Sequence, residues 1–130
     1  MPKDFKRPLT EDEMAARVAR EIKDGGGVNL GEGAAPLPAS HYIPNDIWAM
    51  ALIEHGILGI GGAAQGPFQD RDLMGLGRSH LTAVPGASCF SSSEAFTMLR
   101  GGHIDLSVLG AFQVSEKGDI ANWLIPGDCP

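Results

Sequence analysis

The sequence predicts an α/β domain, a mostly parallel sheet with flanking helices. Three observations carry this. Two amphipathic segments each open with a capping box, short apolar runs of strand length follow them, and glycine clusters mark the changeovers.

The first helix begins at Thr10. Thr10 and Glu13 form a T-x-x-E box, and Glu11 and Asp12 put negative charge on the positive end of the helix dipole. Met14, Val18 and Ile22 recur every four residues as an apolar stripe, with Ala15 and Ala19 beside it. Gly25, Gly26 and Gly27 supply the stop. Val28-Asn29-Leu30 then reads as a short strand running into a glycine turn at Gly31 to Gly33. Ile47 to Ile53 (IWAMALI) is a near-continuous apolar run, of the kind that suits a strand buried on both faces of a parallel sheet. It ends at Glu54-His55-Gly56, and a second apolar and glycine stretch, ILGIGG, follows.

Residues 62 to 80 have no sustained period and several breakers, which predicts a long loop. Leu81 to Val84 is a possible strand closed by Pro85-Gly86. Ser91 and Glu94 cap a second helix whose apolar face is Ala95, Phe96, Met98 and Leu99, stopped by Gly101-Gly102. Ile104 to Leu109 is a strand, and Phe112 to Leu124 is a hairpin turning at Glu116 to Asp119. Residues 1–9 are a charged tail, and 10–130 form one domain.

Composition narrows the function. Glycine is abundant, 18 of 130 residues, which implies tight turns and close backbone approach. A formal charge of −6 with scattered basic residues excludes a phosphate-neutralising stripe, so nucleic acid is a poor partner. Cys89 and Cys129 are too few for a disulfide framework, and the four histidines have no zinc-like spacing. The charged N-terminus and the lack of a long apolar run predict a soluble cytoplasmic protein.

Glu54 is the most informative residue by position. It sits where an apolar strand gives way to glycine, and ligands in open α/β sheets gather at the carboxyl ends of strands. A carboxylate there fits a base or a nucleophile, and it also fits a structural group facing solvent or a lysine, which is the commoner case. Gly59 to Ala64 matches G-x-G-x-x-A, but Gly66-Pro67 breaks the helix that a dinucleotide site needs, and no acidic residue lies between Asp72 and Glu94. Ser91 lacks a G-x-S-x-G elbow and is explained as an N-cap. His103 fits a base or a packed histidine leading into a strand.

Several segments form one ordered series: VNLGEG, EHGILGIG, LTAVPGAS and RGGHIDLSVLGAFQVSEKGDIANWLIPG. From about Thr10 to Gly127 the series resembles the β-subunit of the 3-oxoacid and 3-oxoadipate (succinyl-CoA-dependent) CoA transferases. The resemblance implies a three-layer αβα sandwich. It places Ile53-Glu54-His55-Gly56 on the family's Ser-Glu-Asn-Gly motif, with Glu54 as the catalytic nucleophile. It implies Gly31, Gly33 and Gly56 as substrate-binding positions, Gly56 leaving room for the thioester. It implies an α-subunit partner, an acyl-CoA and a 3-oxo acid as substrates, and neither metal nor cofactor, CoA being a substrate.

The sequence departs from the family pattern in three ways. Ile53 and His55 stand where the family has serine and asparagine, implying altered polar contacts around Glu54. GEGAAPLP replaces Gly-Ile-Gly-x-Pro-Thr, and a buried Glu32 there would need a partner. The family's continuation into Gly-Gly-Ala-Met-Asp is not seen before Pro130, so an incomplete sheet with uncovered apolar surface is expected. The competing expectation is a truncated, non-catalytic remnant that at most binds an α-subunit.

Overall fold

The computed structural model describes residues 7–31, 46–75, 80–124 and 127. The expected α/β class is found. Strands β1 (Gly27–Leu30), β2 (Met50–Ile53), β3 (Ile57–Ala63), β4 (Leu81–Cys89) and β5 (Leu106–Val108) form one sheet in the order β4-β3-β2-β1-β5. β1 pairs in parallel with both β2 and β5, while β3 and β4 are added antiparallel. The carboxyl ends of β1, β2 and β5 therefore lie together at one end of the sheet.

Helices α1 (Glu11–Ala19) and α2 (Ser92–Arg100) both form their predicted capping boxes, at Thr10/Glu13 and Ser91/Glu94. Each box satisfies backbone N–H groups that the first turn leaves unpaired. α1 stops at Arg20, before the predicted Gly25, and single turns then carry the chain on through Val18–Glu21 and Ala19–Ile22 hydrogen bonds. Its buried face is Ala15 and Ala19 continued by Ile22, whereas Met14 is exposed and Val18 half-buried.

Alternation along the strands divides their side chains between two faces. Val28, Leu30, Ile53, Ile57, Ile60 and Leu81 form one apolar cluster with Ile22. Asn29 and Leu52, which are register partners on β1 and β2, belong to the opposite face.

Several boundaries differ from expectation. The IWAMALI run yields only four residues of strand, and Trp48, which precedes them, is exposed. The apolar and glycine stretch ILGIGG forms most of β3, which turns back on β2 after the Glu54–Gly56 turn. The predicted loop holds the end of β3, a 3-10 turn at Gly66–Phe68 and a bridge between Met74 and His80. β4 runs on through Pro85 to Cys89; it is the sheet edge, and its register shifts against β3 near the proline, where a missing N–H is tolerated. The predicted hairpin is present as β6 (Gln113–Val114) and β7 (Ile120–Ala121), a separate two-stranded sheet. Leu109, Phe112, Val114, Ile120, Trp123 and Leu124 along this segment are all exposed.

Candidate functional site

Glu54 follows the last residue of β2 and opens the Glu54–Gly56 turn into β3. The turn closes with the Gly56 N–H donating to the Ile53 carbonyl oxygen at 2.9 Å. The Glu54 side chain is half-buried. Its Oε1 accepts a hydrogen bond from Asn29 Nδ2 at 2.9 Å. Among the described residues Oε2 has no hydrogen-bond partner.

Asn29 is the residue that sequence reasoning missed. Its side chain is 1% exposed, and its Oδ1 is buried with no hydrogen-bond partner among the described residues. An unsatisfied buried polar atom costs roughly 1–3 kcal/mol. The opposite amide orientation would be worse, setting Oδ1 against an ionised carboxylate and orphaning two N–H donors. The available signal was an asparagine inside an otherwise apolar strand, where that residue type is depleted.

Gly31 lies two residues beyond Asn29, on the same side of the chain, just past the end of β1. Its N–H donates to the Val108 carbonyl oxygen at 2.9 Å, which ties the ends of β1 and β5. A Cβ added there would overlap Leu109 Cδ2 and stand 2.9 Å from Glu54 Oε1. The lack of a side chain at Gly31 is therefore what lets Glu54 occupy its position. Gly33 lies outside the described residues. Gly56 has φ +107, and the Phe90 carbonyl oxygen fills the place of its missing Cβ. The space at Gly56 is taken by the chain entering α2, so glycine there is required by the fold.

The two departures beside Glu54 act differently from expectation. Ile53 is 1% exposed and belongs to the apolar cluster on the opposite face, so its side chain makes no polar contact that the site could lose. His55 is exposed, and among the described residues no hydrogen bond or ion pair joins it to Glu54. His103 is also exposed and precedes β5, with its backbone against Gly27 at the start of β1, at the end of the sheet away from Glu54. Ser91 caps α2, and Cys89 is an exposed free thiol at the end of β4. Glu32 and Cys129 lie outside the described residues.

Among the described residues no group of three or more histidine, cysteine or acidic side chains is placed to hold a metal, and no helix is long and apolar enough to cross a membrane. Open depressions lie elsewhere on the surface of the described residues. One of about 340 Å³ lies along the outer face of α2 at Phe96 and Arg100, and one of about 510 Å³ lies on the β6–β7 hairpin. Neither includes Glu54.

A carboxylate held through one oxygen at the carboxyl ends of three parallel strands is an arrangement suited to nucleophilic attack. The family model described as Coenzyme A transferase matches residues 11–129. The chain belongs to the coenzyme A transferase family. It is 50% identical over 114 residues to the B subunit of a probable succinyl-CoA:3-ketoacid coenzyme A transferase from Bacillus subtilis, covering 88% of this chain and 52% of that one. It is 44% identical over 117 residues to the B subunit of a 3-oxoadipate CoA-transferase from Pseudomonas putida, covering 90% and 54%. A human mitochondrial succinyl-CoA:3-ketoacid coenzyme A transferase 2 is 46% identical over 111 residues, covering 85% of this chain and 21% of that one. The chain spans about half the length of the two bacterial relatives. Within this coenzyme A transferase domain, Glu54 lies at the carboxyl end of β2 and is hydrogen-bonded to Asn29 of β1.

Proposed function

We propose that this chain supplies the nucleophile of a CoA transferase that moves CoA from an acyl-CoA, such as succinyl-CoA, to a 3-oxo acid such as 3-oxoadipate or acetoacetate. The single observation that carries the proposal is Glu54 at the end of β2, bound through Oε1 to buried Asn29 with Oε2 unbonded among the described residues. Family membership, and bacterial relatives that are named as B subunits, support the reaction class and an α-subunit partner.

In the first step Glu54 Oε2 attacks the carbonyl carbon of the acyl thioester. The C–S bond breaks, CoA leaves as thiolate, and an acyl-glutamyl anhydride forms. The thiolate then attacks Glu54 Cδ, the Cδ–Oε2 bond breaks, and the donor acid departs as a carboxylate carrying Oε2. A glutamyl-CoA thioester remains. The acceptor acid repeats the two steps in reverse order and leaves with CoA. Splitting one exchange into covalent half-reactions is ping-pong catalysis, and it needs no metal or redox group. Gly31 supports the role because its missing side chain leaves room for Glu54 Oε1 itself.

The test is intact-protein mass spectrometry of the protein containing this sequence, co-purified with its α-subunit and incubated with succinyl-CoA. A CoA-sized increase that maps to Glu54 and is absent in Glu54→Gln is expected. No adduct on folded, α-bound protein would overturn the proposal.

A further inference from the structure

The structure assigns Asn29 a catalytic role: its side-chain amide is the donor that stabilises negative charge on the glutamyl carbonyl oxygen, Glu54 Oε1, when CoA thiolate adds to Glu54 Cδ. This rests on the covalent cycle proposed above. It goes beyond that cycle by naming which oxygen of Glu54 is retained and which group of this chain holds it.

Three observations converge on Oε1. Asn29 Nδ2 is 2.9 Å from it, already at the separation a preorganised oxyanion donor needs. Asn29 on β1 and Gly31 just past its end both approach it: the amide donates to it, and a Cβ at Gly31 would stand 2.9 Å from it. Asn29 is 1% exposed, so its dipole acts where water does not screen it and cannot easily turn away. Oε1 is therefore the spectator in the first attack, and Oε2 is the oxygen that forms the anhydride and departs with the donor acid.

The charge follows the same path. The carboxylate begins with one negative charge, which passes to the CoA thiolate as the anhydride forms. When the thiolate attacks Cδ, that charge moves onto Oε1 in the tetrahedral intermediate. Collapse restores the Cδ–Oε1 double bond and expels the donor carboxylate. The Nδ2–H···Oε1 hydrogen bond persists through every stage and is strongest when Oε1 is an oxyanion, so it favours the transition state over the bound substrate. The buried, unpartnered Oδ1 fits this assignment, because the amide is oriented by the carboxylate it serves and by no other described group.

The experiment compares the unsubstituted protein, co-purified with its α-subunit, with Asn29→Asp and Asn29→Leu. Rapid-quench mass spectrometry reads the rate of glutamyl-CoA formation from succinyl-CoA over a range of concentrations. Removal of one oxyanion donor is expected to slow adduct formation at saturation about 100- to 1,000-fold. The half-saturating succinyl-CoA concentration should change by less than about 3-fold, since ground-state binding does not use the bond. A folded variant with an undiminished saturating rate, or a loss confined to half-saturation, overturns the assignment while leaving Glu54 as nucleophile. No adduct in the unsubstituted protein overturns both. A measurement that leaves Asn29 intact guards against variants that do not fold. The Asn29 side-chain amide resonance should shift when Glu54 becomes the thioester, and an unmoved resonance overturns the assignment.

Discussion

The Phe90 N–H donates to the Gly56 carbonyl oxygen at 2.8 Å, and the Phe90 carbonyl oxygen in turn fills the place that a Cβ on Gly56 would take. Two residues from Glu54, the chain leading into α2 is thus fitted against the turn that presents the carboxylate. The strand β2, the turn and the start of α2 form one support.

Gly56→Ala is expected to disrupt that support. At φ +107 a side chain is strained, and the added Cβ would also stand 2.8 Å from the Phe90 carbonyl carbon. Positive-φ strain alone costs about 1–3 kcal/mol, and backbone atoms cannot swing aside as a side chain can. Denaturant unfolding should show a loss of at least about 3 kcal/mol. A loss below about 1 kcal/mol would mean that the turn is not held in this conformation.

Gly31→Ala should separate activity from stability. Gly31 has no positive φ, and the group its Cβ would overlap is the tip of Leu109, an exposed side chain that can rotate away. The second neighbour, Glu54 Oε1 at 2.9 Å, is the functional group itself. Stability should fall by about 1 kcal/mol or less, while a displaced nucleophile lowers adduct formation about 10- to 100-fold. Adding Leu109→Ala should relieve the first contact without restoring the rate. A full recovery of adduct formation in the double variant would show that Leu109, not Glu54, was the group displaced.

What was legible in the sequence was local. Thr10/Glu13 and Ser91/Glu94 state their capping boxes within four residues, and Glu54 is marked by the end of an apolar run. Asn29 could not be recognised in the same way, because its meaning depends on β1 pairing with β2 in a register that brings it beside a residue 25 positions away. Pro85 misled for a related reason. Proline closes a central strand but not an edge strand, and which strand is the edge is a property of the whole sheet. The serine-to-isoleucine departure at position 53 looked like a change in the site only because adjacent residues in a sequence are not adjacent on a strand. Alternation sends Ile53 and Glu54 to opposite faces.

Acid should loosen α1 over a defined window. The Arg7 guanidinium hydrogen-bonds both oxygens of Glu13, at 2.6 and 2.7 Å, and the Thr10 N–H adds a third bond at 2.8 Å. Arg7 first, then Thr10, lower the Glu13 pKa from 4.5 to about 2. A depressed folded-state value means the stabilisation is fully present above about pH 4.5 and is lost as pH falls towards 2. The pair is exposed, so added salt should shrink the effect. Glu13→Gln keeps a side chain able to complete the capping box while removing the charge. Denaturant unfolding followed by helical circular dichroism should therefore fall less between pH 4.5 and 2 in Glu13→Gln than in the unsubstituted protein. Equal slopes would show that Glu13 is not ionised against Arg7.

Ile53→Ser puts beside Glu54 the residue that the resemblance to the CoA transferases implies there, and tests which face that position serves. If position 53 tuned the nucleophile, the hydroxyl would raise or lower the rate of adduct formation. The structure puts Ile53 in the apolar cluster with Val28, Leu30 and Ile57. There the substitution removes a buried aliphatic side chain and leaves a hydroxyl among apolar neighbours. Large-to-small changes at such sites cost about 2–5 kcal/mol, and an unpaired hydroxyl adds to that. The expected result is a marked fall in the denaturant midpoint with an adduct-forming rate, per folded molecule, within about 3-fold of the parent. His55→Asn is the matched control on the exposed side of the turn, and it should change stability by no more than about 0.5 kcal/mol. A rate change in Ile53→Ser without loss of stability would place residue 53 in the site and contradict the alternation that now separates it from Glu54.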